Sequence, residues 1–174
     1  FDHAGSSTCP FPYGMAGMFR SGGSGIHQIE KAYCCHLGVP KNTEASYYLS
    51  ENEEVADWGG SFDNAGWSSA DGFITGFYRS GDANLFNLEK AYYRRPNEGW
   101  TCKHGQWGAS MDNAGWSLCP EGYFVKALER SSNEQLHCLE KADCCKPNSA
   151  PEQYGFCYEE DWSASFDHEG ASRC

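Results

Sequence analysis

Acidic and amide side chains are grouped near the middle of the chain, in a pattern that could bind a cation. Residues 44–57 form the most acidic connector and contain Glu53 and Glu54, and a short loop downstream adds Asp82 and Asn84. Calcium takes about six to eight oxygen ligands, and extracellular sites function at about 10⁻⁴–10⁻³ M. We therefore predict that the ligands of a bound Ca²⁺ include Glu53, Glu54, Asp82 and Asn84. No EF-hand pattern is present, and the alternative is a solvated acidic loop.

Aromatic side chains in the connectors offer a second kind of binding chemistry. Tyr47, Tyr48 and Trp100 lie outside the segments whose composition is typical of strands. The C–H face of a sugar ring packs on such aromatic rings, while its hydroxyl groups bind amides and carboxylates. We predict these three residues as carbohydrate ligands. The alternative is that the rings close the ends of small hydrophobic cores.

Catalytic chemistry is not indicated by the sequence. The six histidines form no H-E-x-x-H metal spacing, and no G-x-S-x-G nucleophile motif occurs. An arginine and a glutamate recur three times, ten residues apart each time: Arg20 and Glu30, Arg79 and Glu89, Arg130 and Glu140. Because catalytic pairs rarely occur identically three times in one chain, we interpret each as a cross-strand ion pair. We therefore predict that the protein is not an enzyme.

The whole chain is organised as three copies of one unit of roughly 55 residues, with part of a fourth. Each copy opens with a D-x-x-G element: FDHAGSSTC (1–9), FDNAGWSSA (62–70), MDNAGWSLC (111–119) and FDHEGASRC (166–174). Three copies continue with two further elements: MFRS (18–21) and IEKAYCC (29–35), FYRS (77–80) and LEKAYYR (88–94), LERS (128–131) and LEKADCC (139–145). We predict one domain, 1–174, made of repeats 1–57, 58–105 and 106–160 and a partial terminal copy, 161–174.

The ten cysteines, an even number without paired C-x-x-C knuckles, indicate an oxidising compartment and five disulfides. Two pairs share a spacing of 17 residues: Cys102 and Cys119, Cys157 and Cys174. The second repeat has lost both positions together, as Glu53 and Ala70. Joint loss is expected of a bonded pair, so we predict the disulfides Cys102–Cys119 and Cys157–Cys174. The pairing of the other six is left open: Cys9, Cys34, Cys35, Cys138, Cys144 and Cys145.

Strands are the elements that must position these residues. Segments 72–79 and 122–130 are rich in β-branched and aromatic residues and are bounded by Gly and Asp, which predicts strands. A turn-rich loop then leads to the E-K-A element, so each unit is predicted to form an antiparallel hairpin. A short helix capped by Asp82 is the alternative in the second repeat. The predicted fold class is all-β, with three tandem hairpin units and a partial fourth. We expect it to be disulfide-rich and closed with pseudo-threefold symmetry, with the C-terminal strand beside the N-terminal one.

Composition and charge narrow the possible partners. The formal net charge is −11 and no Lys/Arg cluster is present, which argues against nucleic acid and anionic lipid. No apolar run approaches the ~20 residues of a membrane-spanning helix. The chain begins at Phe1 without an initiator Met or an apolar leader, which we interpret as a mature chain that has lost its signal peptide. The expected location is therefore extracellular.

The repeats also carry a family resemblance. The segments WGGSFDNAGWS (58–68), GFYRS (76–80) and LEKADCC (139–145) resemble repeats in secreted proteins of sea anemones and other marine invertebrates. In size, cysteine content and layout the chain is similar to calcium-dependent, galactose-binding lectins of sea anemones, which are dimers. The resemblance implies a Ca²⁺ cofactor, terminal galactose on glycoconjugates as ligand, and a homodimer. The alternative is a structural module of extracellular matrix, mucus or egg coat that has no small ligand.

Overall fold

The computed structural model describes residues 5–37, 48–81, 83–163 and 170–171. These residues are mostly in strands and include four disulfides, which confirms the predicted all-β, disulfide-rich class. The strands are β1 (Gly5–Thr8), β2 (Tyr13–Arg20), β3 (Ile29–Leu37), β4 (Glu54–Asp57), β5 (Gly66–Ser69), β6 (Phe73–Arg79), β7 (Leu88–Arg94), β8 (Trp100–Gln106), β9 (Gly115–Leu118), β10 (Phe124–Arg130), β11 (Leu139–Pro147), β12 (Tyr154–Asp161) and β13 (Gly170–Ala171). Short helices complete the elements: α1 (Gly59–Phe62), α2 (Gly108–Met111) and the 3₁₀ turns Ile26–Gln28, Leu85–Asn87 and Leu136–Cys138.

The strands form three sheets, each built around one predicted hairpin. Sheet I has the order β12-β3-β2-β9, sheet II the order β13-β1-β6-β7-β4, and sheet III the order β5-β10-β11-β8. The central hairpin of each sheet comes from one repeat, while the flanking strands come from another: β9 joins sheet I, β1 joins sheet II and β5 joins sheet III. All pairings are antiparallel except that of β13, which lies parallel to β1 and confirms the predicted neighbourhood of the terminal strands.

The loops between the hairpin strands join the three repeats in a cycle. One backbone hydrogen bond is made at each junction: Ile26 N to Ala83 O at 2.7 Å, Leu85 N to Glu134 O at 2.9 Å, and Leu136 N to Ser24 O at 2.8 Å. Each donor belongs to a 3₁₀ turn and each acceptor to the corresponding loop of another repeat. The three bonds therefore connect the three repeats in a closed cycle, and the pseudo-threefold symmetry stays a prediction.

The E-K-A segments are strands and not helices. In the second repeat the helical alternative is reduced to a single 3₁₀ turn, Leu85–Asn87, directly before β7. Strand β7 pairs with β6 on one side and with β4 on the other. The extended form is favoured there because backbone groups of β7 are hydrogen-bonded on both sides.

Tryptophans of the repeated W-x-x-S element form much of the core. Trp58, Trp107 and Trp162 are each 1% exposed. Burial of an indole is favourable only if its N–H finds an acceptor. The Nε1 atoms of Trp58 and Trp107 donate to the carbonyl oxygens of Ser69 and Leu118, at 3.2 Å in both cases. The repeated tryptophan is therefore a structural residue that fixes the start of each short helix against the following strand.

Two of the recurring arginines, Arg20 and Arg130, connect neighbouring repeats, and the predicted arginine–glutamate ion pairs are wrong. Arg20, Arg79 and Arg130 are between 2% and 6% exposed. Nη2 of Arg130 donates to the carbonyl of Asp63 at 2.6 Å, and Nη1 of Arg20 donates to the carbonyl of Met111. Both acceptors lie where α1 or α2 ends, in another repeat. The glutamates instead accept hydrogen bonds from serines: Ser21 to Glu30 at 3.0 Å, Ser80 to Glu89 at 2.9 Å and Ser131 to Glu140 at 3.1 Å.

The disulfide connectivity differs from the predicted one. The bonds are Cys9–Cys34, Cys35–Cys157, Cys102–Cys145 and Cys119–Cys144. The predicted Cys102–Cys119 bond is wrong because Cys102 is bonded to Cys145, its cross-strand partner on β11, and Cys119 is bonded to Cys144. The predicted Cys157–Cys174 bond is wrong because Cys157 pairs with Cys35, and Cys174 lies outside the described residues. In the described part of the chain Cys138 is buried and has no disulfide partner.

The repeats explain why joint loss misled the sequence prediction. The second repeat lacks four cysteines, not two, because Tyr93 and Arg94 stand where the third repeat has Cys144 and Cys145. Cys102 and Cys145 face each other across β8 and β11, and Glu53 and Arg94 form an ion pair of 3.7 Å at the corresponding place. Two bonded pairs were lost together, so joint loss could not show which cysteine was bonded to which.

Candidate functional site

Glu53 and Glu54 are each held by an arginine. Glu53 accepts a hydrogen bond from Oγ1 of Thr75 at 2.8 Å and lies opposite Arg94. Oε1 of Glu54 accepts one from Nε of Arg95 at 2.9 Å. Burial lowers the pKa of Arg94, and the charge of Glu53 opposes that shift. Each of the two carboxylates is thus paired with an arginine, and Arg95 also pairs with Asp71 at 2.9 Å.

The other two predicted calcium ligands lie elsewhere. Asn84 directly precedes the 3₁₀ turn at the start of β7, whereas Glu54 pairs with Tyr93 near the end of that strand. Asp82 lies outside the described residues. Across the described ranges, no group of three or more His, Cys, Asp and Glu side chains is close enough to hold a metal ion. The structure therefore does not bring Glu53 and Glu54 together with Asn84.

Two of the predicted sugar-stacking aromatics, Tyr48 and Trp100, pack against the core. Tyr48 is 5% exposed and packs with Phe73 and Phe124 in one hydrophobic cluster, so its ring has no free face for a sugar. Trp100 is partly buried against the same cluster, and Nζ of Lys126 lies 5.7 Å from its ring centroid. Tyr47 lies outside the described residues. Tyr48 thus has the core-closing role that we weighed as the alternative.

A different pair of carboxylates converges at the start of α1. A Cβ atom built on Gly59 would lie 2.7 Å from Oε2 of Glu89 and 3.4 Å from Oδ1 of Asp57. The N–H of Gly59 donates to Oδ1 of Asp57 at 3.1 Å, and the hydroxyl of Ser80 donates to Oε1 of Glu89. Among the described residues neither carboxylate forms an ion pair. We call Asp57, Glu89 and Gly59 the carboxylate cradle.

The cradle has counterparts in the other repeats. Asp57, Gln106 and Asp161 share one register, each opposite the lysine of an E-K-A element: Lys90, Lys141 and Lys31 respectively. A Cβ on Gly108 would likewise lie 2.7 Å from Oε2 of Glu140. Two repeats therefore place an aspartate at this register, and the third places the neutral amide of Gln106 there.

Sequence reasoning missed the cradle although a signal for it was present. Asp57, Gln106 and Asp161 each stand directly before the repeated tryptophan, and Glu89 belongs to a repeated motif. We had interpreted that glutamate as the partner of an arginine. The pairing of β4 with β7 sets Asp57 opposite Lys90, next to Glu89 in the chain, and both carboxylates lie beside Gly59.

A surface groove lies at the counterpart of the cradle in sheet III. Its volume is about 690 Å³, within the ~300–1,000 Å³ range of small-molecule sites. The lining side chains that can form hydrogen bonds are Gln106, Glu129, Arg130, Ser131, Glu140 and Lys141. The groove therefore presents amide, hydroxyl and carboxylate groups at one place.

Comparison of the chain with protein-family models, curated proteins and solved structures gave no match. The described residues contain no helix long and apolar enough to cross a membrane.

Proposed function

We propose that the protein is a calcium-dependent lectin that binds terminal galactose on glycoconjugates. The observation that carries the proposal is the carboxylate cradle, in which Asp57 and Glu89 both lie beside Gly59 and neither forms an ion pair among the described residues. The similarity of the chain to galactose-binding lectins of sea anemones in size, cysteine content and layout supports the same function. A net charge of −11 is compatible with a protein that binds a divalent cation.

The cradle has the chemistry that calcium requires. Carboxylate oxygens of Asp57 and Glu89 are hard ligands, and Gly59 leaves the space beside them free of a side chain. The Gly59 N–H and the Ser80 hydroxyl each hold one carboxylate in place. Calcium bound there would need further oxygens, and adjacent hydroxyls of a galactose ring can supply them. Asp57 and Glu89 replace the sequence-predicted set as the metal ligands of this proposal.

We further propose that the lectin is secreted and acts as a homodimer. Four disulfides are compatible with an oxidising compartment. Extracellular calcium suffices for sites with dissociation constants of about 10⁻⁴–10⁻³ M. A dimer would join weak sugar sites so that the second contact benefits from a high effective concentration.

The test is thermal unfolding with calcium or chelator, each with and without galactose. A ligand present at 100 times its dissociation constant stabilises the folded state by about 2.7 kcal/mol. We expect galactose to raise the midpoint only with calcium, and the D57N/E89Q double variant to lose that rise. E54Q is the matched control, because Glu54 is an acidic residue of β4 that we place outside the site. If D57N/E89Q keeps the galactose-dependent rise in midpoint and E54Q loses it, the calcium site lies at Glu54 and not at the cradle. A wild-type midpoint indifferent to both ligands would favour the structural module.

A further inference from the structure

The outer face of sheet III carries a continuous row of side chains beside the groove. Trp67 of β5 pairs with Glu129 of β10, Glu129 pairs with Lys141 of β11, and Lys141 pairs with Gln106 of β8. Glu129, Lys141 and Gln106 line the groove, and so does Gly66, next to Trp67 in the chain. Trp67 therefore directly follows one lining residue, Gly66, and is the cross-strand partner of another, Glu129.

Trp67 is an exposed aromatic residue within a polar setting. It is 38% exposed, and its ring centroid lies 5.8 Å from that of His104 on the far edge of the sheet. Nδ1 of His104 lies 2.5 Å from Oδ1 of Asp143. Asp143 pairs with His104 on one side and with the small residue Ala127 of β10 on the other. An apolar ring surface is thus edged by groups that form hydrogen bonds.

The polar groups on this face are engaged within the protein by one ion pair and several hydrogen bonds. Oε2 of Glu129 lies 2.6 Å from Nζ of Lys141, and Oε1 of Glu140 accepts a hydrogen bond from Ser131. The guanidinium of Arg130 is engaged by backbone carbonyls, that of Asp63 among them. Gln106 stands where the cradle has Asp57, so this groove has one carboxylate fewer to offer a cation. Such a face suits a neutral ligand with one apolar side and many hydroxyl groups.

We propose that the groove and Trp67 form a second saccharide site, one that needs no calcium. One sugar ring packs its C–H face on the indole of Trp67, and the next ring places its hydroxyls on Gln106, Glu129 and Lys141. The ligand class is therefore a neutral saccharide of at least two rings. This site goes beyond the proposed calcium-dependent function and does not depend on the cradle.

Trp116 offers a matched control for Trp67. It occupies the same register in sheet I, opposite Phe19 on β2. Its ring lies against Phe19 at 5.4 Å and Tyr33 at 5.6 Å between centroids, so it is part of an aromatic cluster. Loss of Trp116 removes one indole from the same position of another sheet without touching the groove.

The experiment is isothermal titration in chelator with lactose, cellobiose and maltose as probes, and with galactose for comparison. We expect at least one disaccharide to bind the wild type without calcium. W67A should weaken that binding tenfold or more, while W116A and D57N/E89Q leave it unchanged. W67F, which keeps a ring, should retain part of it. Saturation transfer from disaccharide protons to the Trp67 indole in the wild type gives a readout that needs no variant.

Each outcome bears on one site at a time. If none of the three disaccharides binds in chelator, or if W67A binds as the wild type does, the second site is refuted. Absence of saturation transfer to Trp67 would refute it equally. The calcium-dependent response to galactose is read in a separate arm, so its failure would overturn the proposed function and leave this result standing.

Discussion

The buried arginines show how a single side chain can tie two repeats together. Arg130 lies in β10, yet its guanidinium reaches the backbone of Asp63, whose carbonyl has no helical partner at the end of α1. A planar group with several N–H donors can satisfy such carbonyls, and a buried carbonyl left without a donor costs free energy. The arginine therefore stabilises the turn of a neighbouring repeat and not the glutamate on its own hairpin.

We predict that R130M lowers the free energy of unfolding by about 2–4 kcal/mol, because carbonyls near Asp63 and Asn133 lose their donors. The free energy of unfolding of R130K should lie between those of R130M and the wild type, since a lysine keeps the charge but not the planar set of donors. The measurement is equilibrium unfolding in urea. A loss below about 0.5 kcal/mol for R130M would contradict the role assigned to this side chain.

At the scale of elements, disulfides of two kinds hold the hairpins. Cys35–Cys157 and Cys102–Cys145 join neighbouring strands within a sheet, whereas Cys9–Cys34 and Cys119–Cys144 join different sheets. Sheet II has neither kind in its hairpin. Glu53 and Arg94 meet there instead, in the place of the within-sheet bond. An ion pair can thus occupy a site that the other repeats cross-link.

We predict that the double variant E53C/R94C forms this missing disulfide. The bond would close a loop of about 41 residues, and the loop-entropy model gives a gain of at most about 4 kcal/mol. Loss of the Arg94 contact with the carbonyl of Glu51 reduces that gain. Peptide mapping without reductant detects the bond, and urea unfolding of oxidised and reduced samples measures its effect. E53C alone is the control, and a double variant whose two thiols stay free would show that the pairing geometry is wrong.

At the scale of the whole molecule, the repeats depend on one another. Each sheet contains strands from at least two repeats, and the three loops are joined in a cycle of backbone hydrogen bonds. Repeats stacked in an open array contact only their neighbours and can unfold in part. A closed ring with shared sheets has no terminal repeat from which unfolding can start.

We therefore expect the oxidised protein to unfold in one cooperative transition. Differential scanning calorimetry should give equal calorimetric and van't Hoff enthalpies. Hydrogen exchange should show similar protection for the central strands β2, β6 and β10, which belong to the three sheets. Separate transitions, or early exchange of one hairpin alone, would mean that the ring does not couple the repeats.

The candidate site could be predicted only in part from the sequence. The polar and acidic residues that repeat were visible, and so was the hairpin that carries Glu89. The sequence did not show which residue each of these side chains contacts. Glu53 and Glu54 satisfied the composition of a calcium site, but Arg94 and Arg95 neutralise them across β4 and β7. Asp57, only a few residues further along, remains without a cation among the described residues.

The sequence by itself determined the repeat, the hairpins, the all-β class and the turns, because local propensity and spacing act over a few residues. The tertiary structure decided the cysteine partners, the carbonyls bound by the arginines and the meeting of Asp57 with Glu89. These contacts depend on which strands are neighbours in a sheet, and in this protein a neighbouring strand often comes from another repeat. When a sheet contains strands of different repeats, residues far apart in the chain become neighbours, and their spacing in the sequence does not predict these contacts.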